Sequence, residues 1–277
     1  YHKAMEEDGA LWPSYFSKSK LKDIRRRFED MGLVHKFAQE YMNEARDIDS
    51  LKFKVDRIQY HSGEFVANNG FGYLLTKEDA IPVNVYIGVD LAYESGAKHD
   101  YQSIVVIGID SDKNYYVIDY YREHSPLYQM PERILEYCKD YAPVKRASVE
   151  VVGAQGVIKD AVRELSSQDR KMMPGIIRGT KPPSRIKKED RIESLLCPIV
   201  NRRKLFIRKE FTALYDEMFQ FPKAKHDDLL DGMWYACINS RAPLSRKFNV
   251  NDFDEKMEKD ELSLPKGKKI NWITGLR

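Results

Sequence analysis

The 277-residue chain is 42% hydrophobic and 32% charged, the balance of a soluble globular protein with a sizeable core and not of a disordered or fibrous one. No apolar run approaches the length of a membrane span, and the first residues lack the basic, apolar and small-residue order of a signal peptide, so no membrane partner is expected. Three cysteines, Cys138, Cys197 and Cys237, are far apart, odd in number and free of any CxxC spacing, which speaks against a disulfide scaffold or structural zinc and for a reducing compartment.

In chain order, "SKSKLKDIRRRFEDMG" places Leu21, Ile24 and Phe28 at helical spacing with Gly32 as a stop. "LVHKFAQEYMNEA" repeats that pattern through Val34, Phe37, Ala38 and Tyr41. "ANNGFGY" reads as a loop and a boundary. After Pro82 the period changes: "VNVYIGVDLA" alternates as a strand, and "SIVVIGID" and "NYYVIDYYRE" follow across the short "SDKN" turn, giving an antiparallel meander. A helix over about Leu127 to Tyr141 precedes the short buried strand "RASVEVVG"; a further helix follows "GAQG", then "PGIIRG" as a strand. "KKEDRIESLLCPIV" is helical, "KLFIRK" extended, and two helices close the domain near Ser240. The charged remainder reads as a loosely held extension.

The expected division is 1–80, 81–240 and 241–277. The expected fold is an α/β, ribonuclease H-like mixed sheet, an antiparallel meander plus parallel strands flanked by helices. Architecture alone says little about function.

The acids say more. Asp90 ends the first strand of the meander, where it either caps a loop or, if buried, needs a compensating cation. Glu150 lies between Val149 and Val151 in a β-branched run, a poor place for a solvated carboxylate unless the strand is an edge. "KHDDLLDG" puts Asp227, Asp228 and Asp231 on one face of a helix expected to begin shortly before His226. By itself this is an acidic first turn; with Asp90 and Glu150 it becomes a carboxylate cluster. Such a cluster, lacking His and Cys, suits Mg²⁺ or Mn²⁺, and two such ions can clamp a phosphodiester. Asp100, His99 and His226 flank the same acids as secondary candidates.

Net charge is only +3, but its distribution is uneven. Arg178, Lys181, Arg185, Lys187, Lys188, Arg191, Arg202, Arg203, Lys204, Arg208 and Lys209 are opposed within their stretch only by Glu189, Asp190 and Glu193. This is either a solvated helix face or a path for a polyanion beside the acids.

Two sets of segments carry a resemblance. "ALWPSYFS", "FAQEYMNEARD" and "FKVDRIQYH" resemble the segment that follows the ATPase domain in large terminase subunits of tailed bacteriophages. "IGVDLA…DYQSIVVIG", "SVEVVGAQG", "KKEDRIESLLCPIV" and "HDDLLDGMWYA" resemble, in that order, the nuclease domain of the same family. The resemblance implies a Mg/Mn-dependent endodeoxyribonuclease that cleaves double-stranded DNA concatemers during genome packaging. It implies two divalent cations held by Asp90, Glu150 and the motif aspartates, with Asp228 the first choice, Asp227 the second and Asp231 the third. As catalytic residues it implies Asp90, Glu150 and Asp228. The implied partners are double-stranded DNA, the portal protein, the small terminase subunit and the ATPase domain. The implied setting is the host cell cytoplasm, transiently at the procapsid portal. No GxxxxGK[ST] loop occurs, so the chain is expected to be the C-terminal part of a longer protein, with residues 1–80 the linker. A Holliday junction resolvase or transposase-like nuclease of the same fold shares these acids; a non-catalytic DNA-binding or docking module would hold only structural ions.

Overall fold

The computed structural model describes residues 5–6, 9–10, 13–30, 37, 40–41, 51–68, 70–76, 79–91, 101–151, 175–224 and 226–244. Asp100, His99, Gly153, Gly156, most of the second expected helix, the helix after "GAQG" and the tail beyond 244 lie outside them.

Helix α1 spans Lys18–Asp30. Strands β1 (Gln59–Tyr60), β2 (Glu64–Asn68), β3 (Phe71–Leu75) and β4 (Ala80–Asp90) follow. Next come β5 (Gln102–Ile109) and β6 (Tyr115–Glu123), helix α2 (Met130–Asp140), β7 (Val144–Glu150) and β8 (Ile177–Thr180). Helix α3 (Lys188–Asn201), β9 (Leu205–Ile207), α4 (Thr212–Gln220) and α5 (Asp228–Cys237) complete the described elements.

Strands β1 to β9 form one sheet in the order β8-β7-β4-β5-β6-β9-β1, with the β2–β3 hairpin joined to the first residues of β4; a separate two-stranded pair, Met5–Glu6 with Gly9–Ala10, precedes α1. β4, β5 and β6 are antiparallel neighbours, whereas β7 adds parallel to the free edge of β4 and β8 parallel to β7. That order and those directions are the ribonuclease H-like fold. β-branched residues explain the centre: Val85, Ile87 and Val89 of β4 and Ile104 and Val106 of β5 fill one face, against Met130, Ile134, Leu135 and Cys138 of α2. The opposite face packs Val105 and Ile107 against α3, α4 and α5, through Ile192, Leu196, Leu214, Met218, Leu229 and Met233. All three cysteines are free and buried.

Three features differ from the sequence reading. "ANNGFGY" is the turn and second strand of a hairpin, with Gly70 at φ +75, a backbone region that glycine enters without steric cost. Strand pairing then crosses residue 80: β3 pairs with β4, β1 pairs with β9, and Leu51, Phe53, Val55 and Ile58 join the core. Residues 51–79 thus belong to the folded body. Helix α5 begins at Asp228, after His226, because Asp227 at φ −138 stands outside the helical region.

Candidate active site

β4 and β7 run parallel and in register, Val89 opposite Val149, so their last residues, Asp90 and Glu150, end side by side. The two carboxyls are near enough to perturb each other. Burial first, then the neighbouring Glu150 carboxyl and the negative charge of Asp231, push Asp90 well above the usual carboxylate range, while Lys188 pulls the other way. Two carboxyls in contact need a proton or a cation between them. Oxygen-only donors so placed suit a hard divalent cation.

Helix α5 brings the other acids. It lies directly on β4, because Gly88 and Gly232 leave no side chain between them: a Cβ on Gly88 would come 1.9 Å from the Gly232 carbonyl oxygen and 2.3 Å from the Ala236 nitrogen. The Ser103 hydroxyl of β5 donates to the Asp228 carbonyl at 2.7 Å and fixes the helix start. The first turn of α5 therefore sits over the ends of β4 and β5.

From that turn the motif aspartates diverge. Asp231, 1% exposed, faces Asp90; its carboxylate takes the Arg191 guanidinium at 2.6 Å and also the Lys188 ammonium. Asp227 reaches the same ammonium at 2.7 Å in place of capping its own helix. Asp228 turns to the opposite side, 3.7 Å from Arg122 and 3.9 Å from His226. Arg122 also lies 3.5 Å from Glu217, whose other oxygen accepts the Leu230 N–H at 3.0 Å. A helix turns by about 100° per residue, so positions three apart differ by about 60°, enough to send short side chains to different neighbours. Asp231 and Asp227 thus share the Lys188 ammonium, and the buried Asp228 pairs with Arg122. Among the described residues, no three acid, His or Cys side chains converge closely enough to hold a metal ion, since the Lys188 ammonium lies between Asp227 and Asp231.

The basic stretch divides as well. Arg191, expected on DNA, is 8% exposed, bound to Asp231 and set over the Trp234 ring at 4.8 Å. Lys188, also expected there, is pinned by two carboxylates whose charges, with that of Asp90, raise its pKa against the effect of burial. Arg178 of β8 is exposed, as are Lys181, Arg185 and Lys187 between β8 and α3. Arg202, Arg203 and Lys204 lie at the other end of α3, roughly 20 Å away at 1.5 Å per residue. Lys204 there donates to the Asn114 side chain at 3.0 Å.

Sequence reasoning overlooked Arg122, Glu217 and Arg146, and took Tyr235 for a core aromatic, which it is. A glutamate inside the apolar run of α4 was a usable sign; Arg122 needed the register, which sets it across from Ser103, itself across from Asp90. Burial raises the pKa of the Tyr235 hydroxyl, as do the neighbouring Glu150 and Asp90 charges.

No family model matches the sequence, and no curated protein matches it. Among solved structures, the large terminase nuclease from thermophilic phage G20c is similar, at 15% identity and TM-score 0.44, over 67% of this chain and 96% of that one. The P22 large terminase nuclease domain is similar at 14% identity and TM-score 0.44, over 67% of this chain and 89% of that one. T. thermophilus RuvC in complex with a Holliday junction substrate is similar at 12% identity and TM-score 0.32, over 56% and 91%. At these identities and scores the likenesses add nothing to the strand order above.

Proposed function

We propose that the chain is a metal-dependent endonuclease acting on double-stranded DNA, the nuclease part of a phage packaging enzyme. The observation that supports this most is the pairing of Asp90 and Glu150 where two central parallel strands end, with Asp231 in the first turn of α5 near enough to act on Asp90. The motif segments that resemble large terminases supply the narrower reading: cutting of concatemers in the host cytoplasm, at the procapsid portal, with the small terminase subunit and an ATPase as partners.

In this reading Asp90, Glu150 and Asp231 hold Mg²⁺ or Mn²⁺, with Asp227 beside them. A bound divalent ion lowers the pKa of its water and neutralises charge on the phosphate. Asp90 and Glu150, drawn together by two strand ends, keep their oxygens in place without cost at each turnover. Arg191 orients Asp231 through a 2.6 Å ion pair, and Lys188 screens the repulsion between Asp227 and Asp231. Asp228 positions the helix.

Plasmid nicking with Mg²⁺, Mn²⁺ or EDTA tests the activity, and a four-way junction offered beside linear duplex tests the resolvase alternative. Asp90→Ala, Glu150→Ala and Asp231→Ala are expected to abolish nicking, by at least a hundredfold, with duplex binding retained. Asp228→Ala is expected to keep the thermal stabilisation by Mn²⁺ that Asp231→Ala loses. A folded Asp90 or Glu150 variant that nicks at the wild-type rate overturns the assignment.

A further inference from the structure

On one face of the sheet, among the described residues, α5 packs chiefly on β4 and β5, touches β7 as well, and makes no comparable contact with β8. Alternation puts Arg146, Ser148 and Glu150 of β7 on this face, and the register sets Arg178 opposite Ser148 and Thr180 opposite Glu150. The five side chains form a shelf that runs out from the acids to the sheet edge. Arg146 lies along it toward Glu150, donating to the Ser148 hydroxyl at 3.2 Å and to the Thr180 hydroxyl at 3.4 Å. Arg178 donates to the Gly175 carbonyl at 2.9 Å.

These partners are all neutral. Among the described residues, neither guanidinium meets a carboxylate, although the chain carries nearly as many acids as bases. Like charges on neighbouring strands oppose pairing unless an anion lies between them. The repulsion is felt at Arg146, where burial and then Arg178 lower the side-chain pKa. A guanidinium presents a planar fork of donors that fits a phosphate. Neighbouring strands are about 4.8 Å apart, so a group held on Thr180 stands within roughly 10 Å of Glu150. With about 3.4 Å of rise per nucleotide, that is a few nucleotides from the cut.

We propose that Arg146, buttressed by Ser148 and Thr180 and joined by Arg178, forms a subsite for the non-bridging oxygens of a DNA phosphate within a few nucleotides of the one cleaved. The subsite rests on the nuclease reading above. It would fix which phosphate enters the acid cluster without reading base sequence.

The test is duplex binding in Ca²⁺ by the full chain, measured by fluorescence anisotropy over a range of KCl. Arg146→Gln is expected to weaken binding and to reduce the slope of log affinity on log salt by about 0.9, the value for one lost phosphate contact. Arg146→Lys, which keeps the charge, is expected to keep the slope. Arg133→Gln, on the opposite face of the sheet in α2, is expected to change neither. An unchanged slope in Arg146→Gln overturns the subsite, whereas a wild-type chain that binds duplex but never nicks it overturns the nuclease reading instead. If the wild type fails to bind duplex, sulfate decides separately: it should raise the melting temperature of the wild type and not of Arg146→Gln. Equal stabilisation of both removes the subsite.

Discussion

Glu217 is 4% exposed beneath the first turn of α5, one oxygen on the Leu230 N–H and the other near Arg122. Burial pushes its carboxyl up to about 8, while Arg122 and the Leu230 N–H hold it down. The folded value exceeds the unfolded one, so between about pH 4.5 and 8 the native protein keeps a proton that the unfolded chain has released. Stability then falls as pH rises through that window. Each tenfold in proton affinity is worth about 1.4 kcal/mol, so the fall is on the order of a few kcal/mol. Glu217→Gln keeps an acceptor for Leu230 and is expected to flatten the decline in urea unfolding between pH 5 and 9; parallel curves for the two proteins would put its cause elsewhere. At this scale the sequence marked Asp90 and Glu150 as candidates, each with a structural alternative, and the strand register puts them side by side. It could not rank Asp227, Asp228 and Asp231, since their directions depend on Arg122, Lys188 and Arg191, which reach them from other elements.

The contact between β4 and α5 sets the geometry of the cluster. Because Gly88 faces Gly232 without a gap, a methyl on Gly88 has backbone and not a flexible side chain in its way. Gly88→Ala must therefore push the helix outward, and with it Asp231 and Asp227, away from Asp90. Overpacking of this kind costs about 1–3 kcal/mol, sometimes more. At about 2–4 °C per kcal/mol for a domain of roughly this size, the melting temperature should fall by several degrees. Stabilisation by Mn²⁺ should disappear at the same time. A Gly88→Ala protein that melts lower yet gains fully from Mn²⁺ would show that the acids do not depend on this contact. Most elements, from α1 to α5, were legible from periodicity. The close contact was not, because Gly88 sits in a strand pattern whose alternation gives no sign of what lies above it.

Across the whole molecule, element order was readable and strand pairing only partly so. The β5–β6 pairing is local and follows from the short turn between Ile109 and Tyr115. The parallel pairing of β1 with β9 joins residues 59–60 to 206–207, and no local pattern announces it. The same long-range closure brings four carboxylates, Asp90, Glu150, Asp227 and Asp231, against the cations Lys188 and Arg191. Their contributions to global stability should therefore have opposite signs. Burial and Glu150 raise the Asp90 pKa, so folding at neutral pH must either bury a charge there or take up a proton; Asp90→Asn removes that cost and should raise the metal-free melting temperature. Asp231→Asn instead strips the buried Arg191 of its partner, a loss of about 3–5 kcal/mol, and should lower it. On the proposed assignment Mn²⁺ would bind only the folded arrangement and stabilise the wild type by mass action, about 2.7 kcal/mol at a hundredfold excess over Kd. Both substitutions should reduce that gain, because each removes a ligand oxygen. Calorimetric melting with EDTA and with millimolar Mn²⁺ separates the two effects. Shifts of the same sign in EDTA would mean that charge repulsion or ion pairing alone governs the cluster, and an undiminished Mn²⁺ gain in both variants would place the metal elsewhere.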